Sequence, residues 1–91
     1  IRLEPTYAPA HYGLGRVLEM LGKDADAEPS IREASRLDPK DELSNWVLSA
    51  VLEKRGDVDG AIAEVREYIR KGDPDNDGEA RLASLLKKKT T

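Results

Sequence analysis

Residues 5–38, PTYAPAHYGLGRVLEMLGKDADAEPSIREASRLD, lie over residues 39–72, PKDELSNWVLSAVLEKRGDVDGAIAEVREYIRKG, in one register 34 residues apart. The identities Pro5/Pro39, Leu14/Leu48, Val17/Val51, Leu18/Leu52, Glu19/Glu53, Gly22/Gly56, Ala27/Ala61, Arg32/Arg66, Glu33/Glu67 and Arg36/Arg70 all fall into it. A period of this length marks a solenoid built from stacked supersecondary units. One further shift carries Leu48 and Leu52 onto Leu82 and Leu86, so a third, incomplete copy follows. Ile1-Arg2-Leu3-Glu4-Pro5 ends as Ile31 to Pro39 does, which reads as the close of a preceding repeat.

The pattern inside each unit is helical. Leu14, Val17, Leu18 and Leu21 recur at spacings of three and four, the period of an amphipathic helix expected from about Ala8 to Leu21. Pro9 falls in its first turn, where a missing N–H costs nothing, and Gly22 is placed to end it in a left-handed conformation. A second helix is expected to run to Leu37 with Asp26 as its N-cap, since that start keeps Pro29 in the first turn. The second unit repeats the plan. Asp41 is the expected cap of a helix from about Glu42 to Arg55, Gly56 ends it, and a helix from about Asp59 to Lys71 buries Ala61, Ile62, Val65 and Ile69. After a loop rich in Gly, Asp and Pro, a last helix of about Gly78 to Lys88 carries Leu82, Leu85 and Leu86. Lys87, Lys88 and Lys89 near its end complement the helix dipole.

Composition narrows the function. The chain has 91 residues, no Phe and no Cys, so its core rests on aliphatic side chains, and thiolate zinc sites, disulfides and cysteine nucleophiles are excluded. A chain without thiols suits either redox compartment. The 18 acidic and 15 basic residues give a net charge of -3 with both signs interspersed, which favours neither nucleic acid nor anionic membrane as partner. No apolar run approaches the roughly 20 residues of a membrane-spanning helix. His11 is the single histidine, and no nucleophile-His-acid order, Gly-rich phosphate loop or His-based metal spacing accompanies it, so no enzyme and no cofactor is expected. Asp73, Asp75 and Asp77 with Gly78 fit the opening of a calcium loop. Its closing acidic ligand is missing, because Ser84 stands there, and Asp and Gly serve equally as turn residues between repeats.

These residues resemble the tetratricopeptide repeat. The first unit supplies Leu14-Gly15, Gly22, Ala27, Ile31, Ala34 and Leu37-Asp38-Pro39, and the second supplies Leu48-Ser49, Gly56, Ala61, Val65 and Tyr68, with Pro74 displaced by one residue. His11 and Asn45 stand where the family usually has Trp, and Tyr68 replaces a small Ala, which should re-shape packing against the last helix. The resemblance implies an all-α, tetratricopeptide-type helix-turn-helix solenoid of about two full repeats plus a C-terminal capping helix. Its divisions are residues 1–7 as the end of a preceding repeat, 8–41 and 42–75 as repeats, and 76–91 as capping helix and tail.

The resemblance also implies a protein-protein interaction module in which the first helices line a concave groove. Tyr12, Arg16, Glu19 and Met20 would face it beside Trp46, Ala50, Glu53 and Lys54. Tyr12 and Trp46, one period apart, would be neighbours on a peptide-binding strip, or would pack between repeats. One subclass of the family grips chaperone C-termini with Lys, Arg and Asn; the matching positions here hold Tyr12, Arg16, Val47 and Ala50, so that clamp is mostly absent. The other readings are a structural segment that self-associates through exposed repeat ends, and a regulatory or docking arm of a larger enzyme.

Overall fold

The computed structural model describes residues 8–72 and 76–90, and over these the chain forms five helices. They are α1 (Ala8–Met20), α2 (Asp24–Leu37), α3 (Leu43–Lys54), α4 (Val58–Lys71) and α5 (Asp77–Thr90). Each packs against the next in the chain, so helix pairs stack into a solenoid with no strand among the described residues.

The two tight turns are copies of each other. Gly22 and Gly56 have φ of 79° and 85°, a left-handed conformation that a Cβ would strain. The Gly22 N–H donates to the Glu19 carbonyl at 3.1 Å and the Lys23 N–H to that of Leu18 at 2.8 Å. Gly56 donates to Glu53 at 3.0 Å and Asp57 to Leu52 at 2.9 Å. Both are Schellman turns, in which the last carbonyls of one helix are satisfied while the chain reverses.

Those turns also correct the expected start of α2. The helix begins at Asp24, not after Asp26, and Pro29 lies inside it. The reason is the turn itself, which delivers the chain to equivalent points, Asp24 and Val58, one period apart. Asp26 and Ala27 already donate to the Lys23 carbonyl at 3.1 and 2.9 Å, and this register puts Ala27, Ile31 and Ala34 on the buried face. Pro29 removes one bond to the Ala25 carbonyl, but both residues are on the exposed side, where water can replace it. At the start of α4, the Asp57 carboxylate accepts from the Gly60 N–H at 2.9 Å; Lys23, its equivalent before α2, provides no such cap. The Asp41 carboxylate accepts from the Leu43 N–H at 3.0 Å, capping α3 one residue before Glu42.

The core is a single cluster centred on Ala27, Ile31, Val47, Leu48, Val51, Ala61, Val65 and Leu85. In α4 the expected face is buried at Ala61, Ile62 and Val65, with Ile69 packed at its margin. Of the three leucines expected in α5 only Leu85 is fully buried; Leu82 is partly so, and Leu86 is 38% exposed. The larger departure is in α1. Leu14 and Val17 are 42% and 53% exposed, whereas Leu48 and Val51, their period equivalents, are 2% and 0% exposed. α2 covers the second pair, and no described helix stands before α1 to cover the first. Leu21 is exposed with them, so of the four expected core residues in α1 only Leu18 reaches the cluster, joined by Tyr12. Gly15 is also buried, because its missing side chain leaves room for Ile31.

Candidate functional site

The first helices of the units, α1, α3 and α5, are tied to one another by side chains 35 residues apart, one more than the period. Lys54 of α3 pairs with Glu19 of α1, and Lys88 of α5 pairs with Glu53 of α3. Arg16 approaches Glu19 at 3.6 Å. Hydrogen bonding to Glu19 holds the Lys54 ammonium above its ordinary pKa despite the opposing effect of desolvation. Glu19, Glu53 and Lys54, three of the expected groove residues, are therefore neutralised within the chain. Exposed pairs of this kind are worth at most about 1 kcal/mol each, so they set the local charge more than the stability.

The third link of the same step is different in kind. The Arg81 guanidinium of α5 lies over the Trp46 ring of α3, 3.6 Å from its centroid. Its Nη1 donates to the Trp46 carbonyl at 3.0 Å and to Ser49 Oγ at 2.7 Å, and the Ser49 hydroxyl donates to the same carbonyl at 2.7 Å. Burial lowers the Arg81 pKa, with Glu53, Tyr68 and Asp77 opposing. On its other side Trp46 meets Tyr68 of α4, ring centroids 5.0 Å apart and planes tilted by 44°. The bulk that Tyr68 brings in place of a small residue is thus taken up by the indole, and Tyr68 itself is buried. Trp46 is a bridge between α4 and α5, while Tyr12 packs against the core cluster from α1. Burial raises the Tyr12 pKa above its ordinary 10.0, partly offset by Arg16.

The remaining expected groove residues are Met20, the most open at 72% exposure, and Ala50, half-buried on α3. Asn45, standing at the usual Trp position, is buried; its Nδ2 donates to Glu64 at 2.9 Å and its Oδ1 accepts from Lys71 at 2.7 Å, stitching α3 to α4. Of the calcium-like group, Asp73 and Asp75 lie outside the described residues, and Asp77 opens the first turn of α5, where a carboxylate favours the helix dipole. Among the described residues no three His, Cys, Asp or Glu side chains gather as a metal site. Arg81 is the residue that sequence reasoning missed as part of this surface. The signal was available in the spacing: Arg81 follows Trp46 by 35 residues, as Lys54 follows Glu19 and Lys88 follows Glu53.

Two stacked helix-turn-helix units with duplicated glycine turns and a terminal helix define an all-α repeat scaffold. The family model of the tetratricopeptide repeat matches residues 1–42 and 25–77, and the chain belongs to the tetratricopeptide repeat family, whose members serve generally as protein-interaction modules. A crystal structure of a thermophilic tetratricopeptide protein of Thermus thermophilus is similar, with 30% identity and a TM-score of 0.80 over 91% of this chain. The chain spans 42% of the length of that protein. No curated protein matches.

Proposed function

We propose that the shared side of α1, α3 and α5 is a groove on which an extended segment of a partner protein docks. The observation that carries this reading is the Trp46 and Arg81 pair, partly exposed and held rigidly by Tyr68, Ser49 and the Trp46 carbonyl. A preorganised aromatic and guanidinium pair is the composition of a binding hot spot, because little side-chain freedom is left to lose on contact. Arg16, Tyr12, Met20, Ala50, Glu19, Glu53 and Lys54 form its surroundings, and family membership supports a scaffold in preference to a catalyst. The test is affinity capture from the host with this chain beside a Tyr12→Ala, Arg16→Ala, Trp46→Ala version of matched helicity. Hydrogen exchange on the captured complex then reads the location. Protection confined to α1, α3 and α5 and lost capture by the variant support the groove; protection on α2 and α4 instead overturns it.

A second reading rests on the exposure of Leu14, Val17 and Leu21. An apolar helix face of that size suits a self-associating segment. Sedimentation that shows a dimer for the chain and a monomer for Leu14→Glu, Val17→Glu supports it; a monomer for both removes it.

A further inference from the structure

The charged groups on the shared side of the first helices fall into two kinds. Glu19 and Glu53 are neutralised by Lys54 and Lys88, and Arg16 leans on Glu19. Arg32 and Arg36, which line an open cleft between α2 and α4, are likewise tied to Glu28 and Glu33. Arg81 has no such partner among the described residues. It is half-buried, yet no carboxylate of the described residues lies within 4.0 Å of it. Its two hydrogen bonds both leave from Nη1 and both end on neutral oxygens, a carbonyl and a hydroxyl. Nε and Nη2 donate to no atom of the described residues.

A guanidinium already stripped of part of its water, fixed over an indole and left with an open edge, is suited to a planar carboxylate. Much of the cost of desolvating and ordering the cation has been met in folding, so it does not recur on binding. The neighbours of Trp46 on its own helix face are Leu43, 47% exposed, and Ala50. They supply apolar contact and no second donor for fixing a chain end.

We propose that Arg81, backed by Trp46, is the anchor for one aspartate or glutamate side chain within an apolar, extended segment of a partner protein. This rests on the docking surface proposed above and adds the chemistry of its occupant.

The test pans two random peptide libraries on the immobilised chain, one with blocked C-termini and one with free C-terminal carboxylates. Selected peptides are then measured on the wild type, on Arg81→Gln and on Arg81→Lys. The expected result is enrichment, in the blocked library, of an acidic residue at one fixed position beside apolar ones. Binding falls about tenfold or more on Arg81→Gln and recovers in part on Arg81→Lys, which keeps the charge without the fork. Changing the peptide's acid to its amide should weaken binding to the wild type and not to Arg81→Gln. If Arg81→Gln does not fold, the same amide exchange on wild type is read through the Arg81 Nε–H resonance, which must shift with the acid and stay still with the amide. Peptides without a fixed acid, or equal binding to Arg81→Gln, overturn the anchor and leave the groove standing. Enrichment in the free-terminus library alone overturns the internal side chain as occupant. No enrichment in either library sinks both.

Discussion

Arg81 stacks on Trp46 across 35 residues of chain, 3.6 Å from the ring centre, and so pins the terminal helix α5 to the first helix of the unit before it. The same step relates Lys54 to Glu19 and Lys88 to Glu53. Adjacent first helices therefore meet through residues one position beyond the repeat, and the solenoid carries its cross-links in a register the identities alone do not display.

Replacing Arg81 with Ala removes a stacked cation and two hydrogen bonds from a half-buried site. Together these are worth about 1–3 kcal/mol. Trp46 is the chain's single tryptophan, so its fluorescence reports the change directly. The expected outcome is a lower urea midpoint and a red-shifted native emission, with helicity by circular dichroism retained.

Two glycines of α1 should respond oppositely to alanine. A Cβ at Gly15 would overlap Cδ1 and Cγ1 of Ile31, which is wholly buried, whereas one at Gly13 meets nothing within 4 Å. Gly13→Ala should stabilise the chain by about 0.5–1 kcal/mol through helix propensity. Gly15→Ala should destabilise it by about 1–3 kcal/mol through overpacking, with relief when Ile31→Ala is added. Thermal melts of the three variants decide the matter.

Leu14 and Leu48 share a repeat position, but their truncations should differ. Leu48→Ala opens a cavity in the core and should cost about 2–5 kcal/mol. Leu14→Ala removes a side chain that is 42% exposed and should cost less than about 1 kcal/mol in this chain. Equal costs in denaturant titrations would mean that the face of α1 is covered in solution.

Acid sensitivity has a defined direction at Glu33 and Glu67. Each carboxylate is held below its ordinary value of 4.5 by hydrogen bonds from Arg36 and Arg70. A carboxylate with a depressed folded pKa contributes stability above its unfolded pKa and loses it as pH falls through the folded one. The Glu33→Gln, Glu67→Gln variant should therefore be less stable than wild type at pH 7. The gap should close as pH falls below about 4.5. Both groups are exposed, so the gap is small and is best read as a difference in urea midpoint across pH.

Tyr12 titrates in the opposite sense. Burial favours its neutral phenol, so the folded state loses stability as pH rises past 10.0. Absorbance titration should show a phenol ionising late, and Tyr12→Phe should remove it.

How far the sequence was legible follows physical locality. Gly22 and Gly56 announced their turns because a left-handed residue is a local requirement, and the helix after Gly56 could be placed from its apolar spacing. Pro29 misled the start of α2 because its cost was weighed locally, whereas the Schellman turn before it and the burial of Ala27 decided the register. Tyr12 and Trp46 were paired by their spacing alone. Trp46 finds its aromatic neighbour in Tyr68, from the second helix of its own unit, because a helix packs sideways as well as along the array.

The sequence by itself determined the period, the helices, their turns and the family, since each is written in nearest-neighbour chemistry that repeats every 34 residues. Only the tertiary structure decided which of two equivalent positions is core and which is surface, as at Leu48 and Leu14, because burial depends on the helix that lies alongside. It alone brought Arg81 onto Trp46 and joined Glu19 to Lys54, since a side chain's partner across a helix interface is fixed by the packing of whole helices and not by its neighbours in the chain.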